Sequence, residues 1–335
     1  MKDILKKLTS GQDLTREEAK RANDILLSGE ATQSQIGCFL TALRMKGETP
    51  AEIAGLAMAL MEKAVHIHPQ VDDYIDIVGT GGDGSNSFNI STTAAFVLAG
   101  AGQAVAKHGN RALSSRSGAG DVLEALGVNI TADPKEVERA IEEIGIGFMF
   151  AQTFNPAMRF VGKARMEMGI RTVYNILGPL SNPSGAPYQL VGIYSPSLTE
   201  TMCRAMREVG LTGSMVMSSD TNMDELSTAC PTTVSELRDG EIITYKITPE
   251  QFGFKRCDEK ELLGGTAAEN AAITRSILDG SEQGPKRDIV LLNAGAGLYV
   301  TGRAKSIDEG IQKAAVSIDS GKALEKLEAL IAFGK

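Results

Sequence analysis

The stretch Tyr74-Ile75-Asp76-Ile77-Val78-Gly79-Thr80-Gly81-Gly82-Asp83-Gly84 sets the interpretation of this chain. Its first five residues form a short β-rich run that stops at a glycine, which is how a strand ends. The glycines that follow let backbone amides approach a phosphate with no side chain in the way. A tight turn with a purely structural role has the same composition, and that alternative stays open at this point. Next comes Ser85-Asn86-Ser87-Phe88-Asn89-Ile90-Ser91-Thr92-Thr93, leading into a helix from about Ser91. Hydroxyls and an amide at a helix start suit an anion, because free amides and the helix dipole both favour negative charge there. Ordinary capping by Ser91 or Thr92 fits equally well and can coexist with a ligand.

A second strand is expected over 103–107, and it runs into Lys107-His108-Gly109-Asn110-Arg111, with Ser114, Ser115, Arg116 and Ser117 close behind. Two phosphate-seeking segments at consecutive strand ends imply a ligand with several phosphate groups. Gly79, Gly81 and Gly84 also fit the dinucleotide fingerprint G-x-G-x-x-G. That motif requires a helix opening at once and an acid about 20 residues on to hold ribose hydroxyls. Here the helix starts late and the next strand ends in Lys107-His108, so a nicotinamide cofactor is not expected.

Past these segments, strand and helix alternate. Helix follows strand again from Asp121, then come a strand over 189–194, a helix over 197–209 and a strand over 214–218. A hairpin is expected over 236–247, with Asp239-Gly240 at its turn. The implied fold class is α/β, with a mainly parallel central sheet flanked by helices and ligands at the carboxyl ends of its strands. The first ~65 residues instead read as helical. Thr15-Arg16-Glu17-Glu18, Thr32-Gln33-Ser34-Gln35 and Thr49-Pro50-Ala51-Glu52 each fit the capping box, in which first and fourth side chains satisfy each other's free amides. The expected division is a small N-terminal helical domain, 1–70, joined by part of 165–187, and a large domain made of 71–164 and 188–335.

Bulk properties narrow the function. The chain has 335 residues and a net charge of −8, from 34 Lys and Arg against 42 Asp and Glu. An acidic balance argues against a dedicated nucleic-acid binder, but a few local cations can still reverse the field inside a cleft. The four cysteines form no C-x-x-C pair, so reduced thiols are expected and zinc is not. Met1-Lys2-Asp3-Ile4-Leu5-Lys6-Lys7 lacks the apolar core of a signal peptide, and the most apolar stretch, 94–106, is too short to span a membrane. A cytoplasmic protein with no membrane partner is the expectation.

At the strand-end motifs the chain resembles the anthranilate phosphoribosyltransferases, and the likeness runs nearly end to end. Gly79-Thr80-Gly81-Gly82-Asp83, Asn89-Ile90-Ser91-Thr92 and Lys107-His108-Gly109-Asn110-Arg111 resemble that family's phosphoribosyl-pyrophosphate motifs. Gly169-Ile170-Arg171-Thr172 and Asn175-Ile176-Leu177-Gly178-Pro179-Leu180 resemble its hinge and aromatic-substrate segment, and Asp224-Glu225-Leu226-Ser227 its metal motif. Leu292-Asn293-Ala294-Gly295-Ala296 also fits. Asp72-Asp73 near the glycines is similar to the acid pair of the commoner phosphoribosyltransferase class, but it precedes the strand where that class has it after, so that match fails.

The resemblance implies transfer of phosphoribose from phosphoribosyl pyrophosphate (PRPP) to the amine of anthranilate. It implies PRPP contacts at Gly79, Gly82, Asp83, Ser87, Asn89, Ile90, Ser91 and Thr92, and along Lys107, His108, Gly109, Asn110, Arg111, Ala112, Leu113, Ser114 and Ser115. It further implies Mg²⁺ at Ser91, Asp224 and Glu225, anthranilate at Gly79, Asn110 and Arg165, and a homodimer. Lys107, Asn110 and Arg165 are the candidate catalytic residues, and His108 is a candidate to accept the amine proton late. Asn155 stands where the family often has His, and Ala119 where many members have Ser. A pyrimidine nucleoside phosphorylase, similar in fold, and a catalytically inactive relative that binds nucleic acid are the rival readings.

Overall fold

The computed structural model describes residues 1–112 and 116–334; Leu113, Ser114 and Ser115 of the expected PRPP contacts lie outside the described residues. The chain opens with four helices, α1 (Lys2–Thr9), α2 (Arg16–Leu27), α3 (Gln33–Lys46) and α4 (Pro50–Glu62). The last three each begin with a complete capping box, on Thr15, Thr32 and Thr49. Two orphan amides are thus satisfied at each start.

The remainder builds one seven-stranded sheet in the order β3-β2-β1-β4-β5-β6-β7. Its strands are β1 (Tyr74–Gly79), β2 (Ala104–Gly109), β3 (Ile146–Phe150), β4 (Tyr188–Gly192), β5 (Gly213–Ser219), β6 (Thr232–Arg238) and β7 (Glu241–Ile247). The pairings from β3 to β5 are parallel, and the β6–β7 hairpin adds on antiparallel. The expected hairpin turn is present, with Asp239 and Gly240 both at positive φ. β3 is not among the strands expected above. Its five residues are all buried, so it lacks the alternation that marks a half-exposed strand.

Between the strands come α5 (Ile90–Gly100), α6 (Ala119–Leu126), α7 (Pro134–Ile144), α8 (Ala151–Phe154), α9 (Arg159–Met168), α10 (Tyr174–Leu177) and α11 (Thr199–Glu208). Helices α12 (Ala267–Leu278), α13 (Pro285–Val300), α14 (Ile307–Asp319) and α15 (Lys322–Phe333) complete the chain. Strand periodicity distributes the sheet between two cores. Leu190, Met215 and Met217 face a cluster built with α5 and α12 to α15. Val191 and Val216, one residue out of phase, face the cluster that contains α1 to α4, α11 and residues 161–180. The N-terminal helices therefore pack on one face of the sheet together with α11 and residues 161–180. Among the described residues, no helix is long and apolar enough to cross a membrane.

Candidate active site

In strand order, β2 lies on one side of β1 and β4 on the other, so the chain reverses direction across the sheet at β1, and the loops leaving those strands diverge there. This is where open α/β sheets bind ligands. Gly81, Gly82 and Gly84 hold φ of +66°, +69° and +81°, backbone that a side chain would strain. The loop after β5 carries Asp224 and Glu225 into this turn. The Gly81 amide donates to Asp224 Oδ2 at 2.7 Å, and the Ser91 amide, at the N-terminus of α5, donates to Glu225 Oε1 at 3.0 Å. Closeness explains two glycines. A Cβ on Gly79 would strike the Asp224 carboxylate, and one on Gly192, at the end of β4, would strike the Asp224 carbonyl. The helix start expected to attract an anion has one from within the chain, the Glu225 carboxylate.

Both acids are buried, and burial raises their pKa values. Asp224 is pushed up to about 7, first by burial and then by the negative charge of Asp83. Glu225 is held well above the usual carboxylate range by burial and then by Asp224. Its second oxygen, Oε2, is buried with no hydrogen-bond partner. An orphaned carboxylate oxygen beside a second raised acid is a donor set that wants a cation. Among the described residues, no three His, Cys, Asp or Glu side chains are grouped to hold a metal by themselves.

Lys107 and His108 turn inward on opposite sides of β2. Lys107 is buried, and its ammonium donates to the Ile77 carbonyl. Burial pushes its pKa down, opposed by the charges of Asp76, Glu225 and Asp224. His108 Nδ1 lies 3.3 Å from the Gly178 carbonyl and Nε2 lies 3.1 Å from Asn155 Nδ2. A carbonyl only accepts, so Nδ1 carries the proton and Nε2 accepts from the Asn155 amide. Burial pushes this imidazole down to about 4. It is neutral, and both nitrogens are engaged. In this arrangement neither ring nitrogen is free, and His108 would have to release Asn155 before Nε2 could take the amine proton. Asn155 is its buried neighbour.

The other candidates divide. Asp83 and Ser87 line one pocket together with Met223 and Leu262. Asn89 faces the site rim, donating to the Ser117 carbonyl at 3.2 Å and accepting from Asn270 at 2.9 Å. The Asn110 side chain accepts from the Arg111 amide at 2.8 Å. The Arg111 guanidinium is engaged inside the chain, gripping Glu124 through two bonds at 2.7 and 2.9 Å and Asp121 at 3.2 Å. Ile90 and Thr92 are buried in the first turn of α5. Arg165, on α9, is packed against the Tyr174 ring at 5.3 Å and has no acid partner among the described residues. Burial lowers its pKa. No hydrogen bond joins it to Gly79 or Asn110 among the described residues. Sequence reading missed Asp76, Asn182 and Asn270, which carry side chains of the site's frame. It also gave Asn293 no role, although that residue brackets Leu226 through its amide and carbonyl and so steadies the acid-bearing loop. Arg171, in the expected hinge, donates to the Gly82 carbonyl and stacks on Tyr194.

Comparison with known proteins settles the family. Residues 2–64 match the helical bundle domain and residues 71–324 the a/b domain of a glycosyl transferase family. Anthranilate phosphoribosyltransferase from Acetivibrio thermocellus is 51% identical over 333 residues, spanning 99% of this chain and 96% of its own length. The chain belongs to the anthranilate phosphoribosyltransferase family. The enzyme from Methanocorpusculum labreanum is 52% identical over 330 residues, spanning 98% of this chain and 96% of its own length. The crystal structure of anthranilate phosphoribosyltransferase from Thermus thermophilus superposes with a TM-score of 0.94 at 44% identity, covering 99% of each chain. The Saccharomyces cerevisiae anthranilate phosphoribosyltransferase, solved in complex with PRPP and Mg, superposes with a TM-score of 0.90 at 30% identity, covering 99% of this chain and 96% of its own. The reaction of this chain is therefore transfer of the 5-phosphoribosyl group from PRPP to the amine of anthranilate, with release of pyrophosphate, a step of tryptophan biosynthesis.

Proposed function

We propose that the ends of β1 and β2 cradle PRPP, with its pyrophosphate held jointly by the chain and by Mg²⁺, and that Arg165 receives the anthranilate carboxylate. The observation that carries this reading is the buried pair Asp224 and Glu225. They reach the glycine turn and the start of α5, and the pair has an unpartnered oxygen. Hard carboxylate oxygens, too few to enclose an ion, fit Mg²⁺, which takes one or two carboxylates and completes its shell with water and substrate phosphate. Asp224, Glu225 and Ser91 would hold it. When bound, the ion supplies positive charge to the oxygens of the pyrophosphate.

The residues of the chain do the rest. The bond from ribose C1 to the pyrophosphate oxygen breaks, leaving an oxocarbenium-like centre, and the anthranilate nitrogen bonds to C1. Positioning and fixed charge serve such a step better than a base does. The arylamine is uncharged and attacks as it stands, and the arylammonium it becomes is acidic enough to lose its proton to water. Lys107 keeps positive potential beneath the pyrophosphate, Asn89 and the amides of 79–84 hold its oxygens, and Asn110, Arg165 and the Gly79 backbone align the amine. A guanidinium half withdrawn from water with no acid beside it is ready for a carboxylate. The dimer expected from the family fits the exposed side chains of Met45 on α3 and Met166 on α9, 82% and 78% accessible on neighbouring helices.

The test follows anthranilate fluorescence with PRPP and a Mg²⁺ titration, for the parent and for Asp224→Asn and Glu225→Gln. The parent consumes anthranilate only with both PRPP and Mg²⁺, while each variant needs at least tenfold more Mg²⁺. An unaltered Mg²⁺ response in both variants would remove these acids from the metal site.

A further inference from the structure

Between β1 and β2 the parallel ladder stops short. β1 pairs with β4 from Ile75–Tyr188 to Gly79–Gly192, and β2 pairs with β3 from Val105–Ile146 to Gly109–Phe150. β1 and β2 share two pairs, Tyr74–Ala104 and Ile75–Val105. Beyond them, backbone groups that a ladder would join are met by side chains. Asp76 Oδ1 accepts from the His108 amide at 3.1 Å. Asn182 Nδ2 donates to the Ala106 carbonyl at 2.9 Å and to Asp76 Oδ2 at 2.8 Å. The Lys107 ammonium takes the Ile77 carbonyl. Asn182 is braced in turn, its Oδ1 accepting from the Ser184 amide at 2.9 Å and the Ser184 hydroxyl at 2.6 Å.

Both strands stay paired past the break, β1 with β4 and β2 with β3. A carboxylate in the middle of a sheet is costly to bury unless it is fully hydrogen-bonded. Asp76 is wholly buried. A costly group that displaces favourable ladder bonds is a local conflict of the kind concentrated at functional sites. We propose that Asp76 and Asn182 form a wedge that holds the carboxyl ends of β1 and β2 apart, setting the spacing between the glycine turn and the segment from Lys107 to Asn110. They are positioning residues and touch no substrate. The inference rests on the reading that these two strand ends cradle PRPP.

The test compares Asp76→Asn, which keeps the shape of the side chain, with Asn182→Ala, which removes the brace, by steady-state kinetics at saturating Mg²⁺ and by thermal melting. Each folded variant should show KM for PRPP raised tenfold or more, with kcat and KM for anthranilate changed less than threefold. A purely structural role lowers the melting temperature and the active fraction and leaves both KM values in place, and that result in a folded variant overturns the wedge. Asn89→Ala, measured alongside, separates two failures. If it raises KM for PRPP and the wedge variants do not, the wedge alone falls. If none of the three moves it, the cradle reading falls as well.

Discussion

β1 and β2 lie side by side, are six residues long each and end at the same site, yet they meet it in opposite ways. The end of β1 sheds side chains. Its glycines present backbone amides and leave room for Asp224, a residue far away in the chain. The end of β2 carries Lys107 and His108, and both side chains turn back into the protein. One strand end is built to be approached, the other to hold a frame. Charge at a strand end thus marks a site without saying which atoms of it touch the ligand.

This contrast is most exposed to replacement of Lys107. In Lys107→Met the buried acids Asp76, Asp224 and Glu225 lose the cation that faces them. Removing one partner from a buried charge cluster costs about 3–5 kcal/mol. Urea unfolding should show a loss of that size, together with loss of activity at neutral pH. A stability change under about 1 kcal/mol would mean that Lys107 serves the ligand and not the frame, and the difference between the two strand ends would vanish.

A third region stands apart from both. Arg165 belongs to the segment that packs with the N-terminal helices, and it has what neither strand end offers, a guanidinium with no acid partner among the described residues. A hydrogen bond to a charged group contributes about 1.5–3 kcal/mol, so Arg165→Ala should raise KM for anthranilate tenfold or more and leave KM for PRPP within about threefold of the parent. Equal effects on both substrates would remove Arg165 from the carboxylate role.

Much of this was legible in the residues. The glycine turn, the capped helices and the alternation of strand with helix follow from local rules, and those rules held because each acts within a few residues. β3 was not, since five fully buried residues carry no period. The site was legible as a set of motifs and not as an arrangement. Nothing local to Asp76 or Asn182, separated by over a hundred residues, announces that they meet between two strands. Arg111 shows a second arrangement that local sequence does not announce. Its place in a basic run suggests phosphate, but Glu124 lies three residues beyond Asp121 on the same face of α6, and together they engage it.

The mildest change tests the inward turn of β2 at His108. Burial holds this imidazole down at about 4, against an ordinary 6.5. Between those values the unfolded chain binds a proton that the folded chain refuses, so stability falls as pH falls through that window, by about 1.4 kcal/mol per unit. Asp76, whose carboxylate accepts from the His108 amide, is held up at about 6 against an ordinary 3.8. There the folded chain holds the extra proton, and stability falls as pH rises towards about 6. The two contributions oppose each other in acid, which hides His108 in the parent. His108→Gln keeps an amide donor for the Gly178 carbonyl and cannot titrate. Unfolding in urea at pH 7 and pH 5 should therefore show the variant losing about 2 kcal/mol less than the parent between the two conditions. Equal losses would place His108 in contact with water and restore it as a group able to take the proton from the amine.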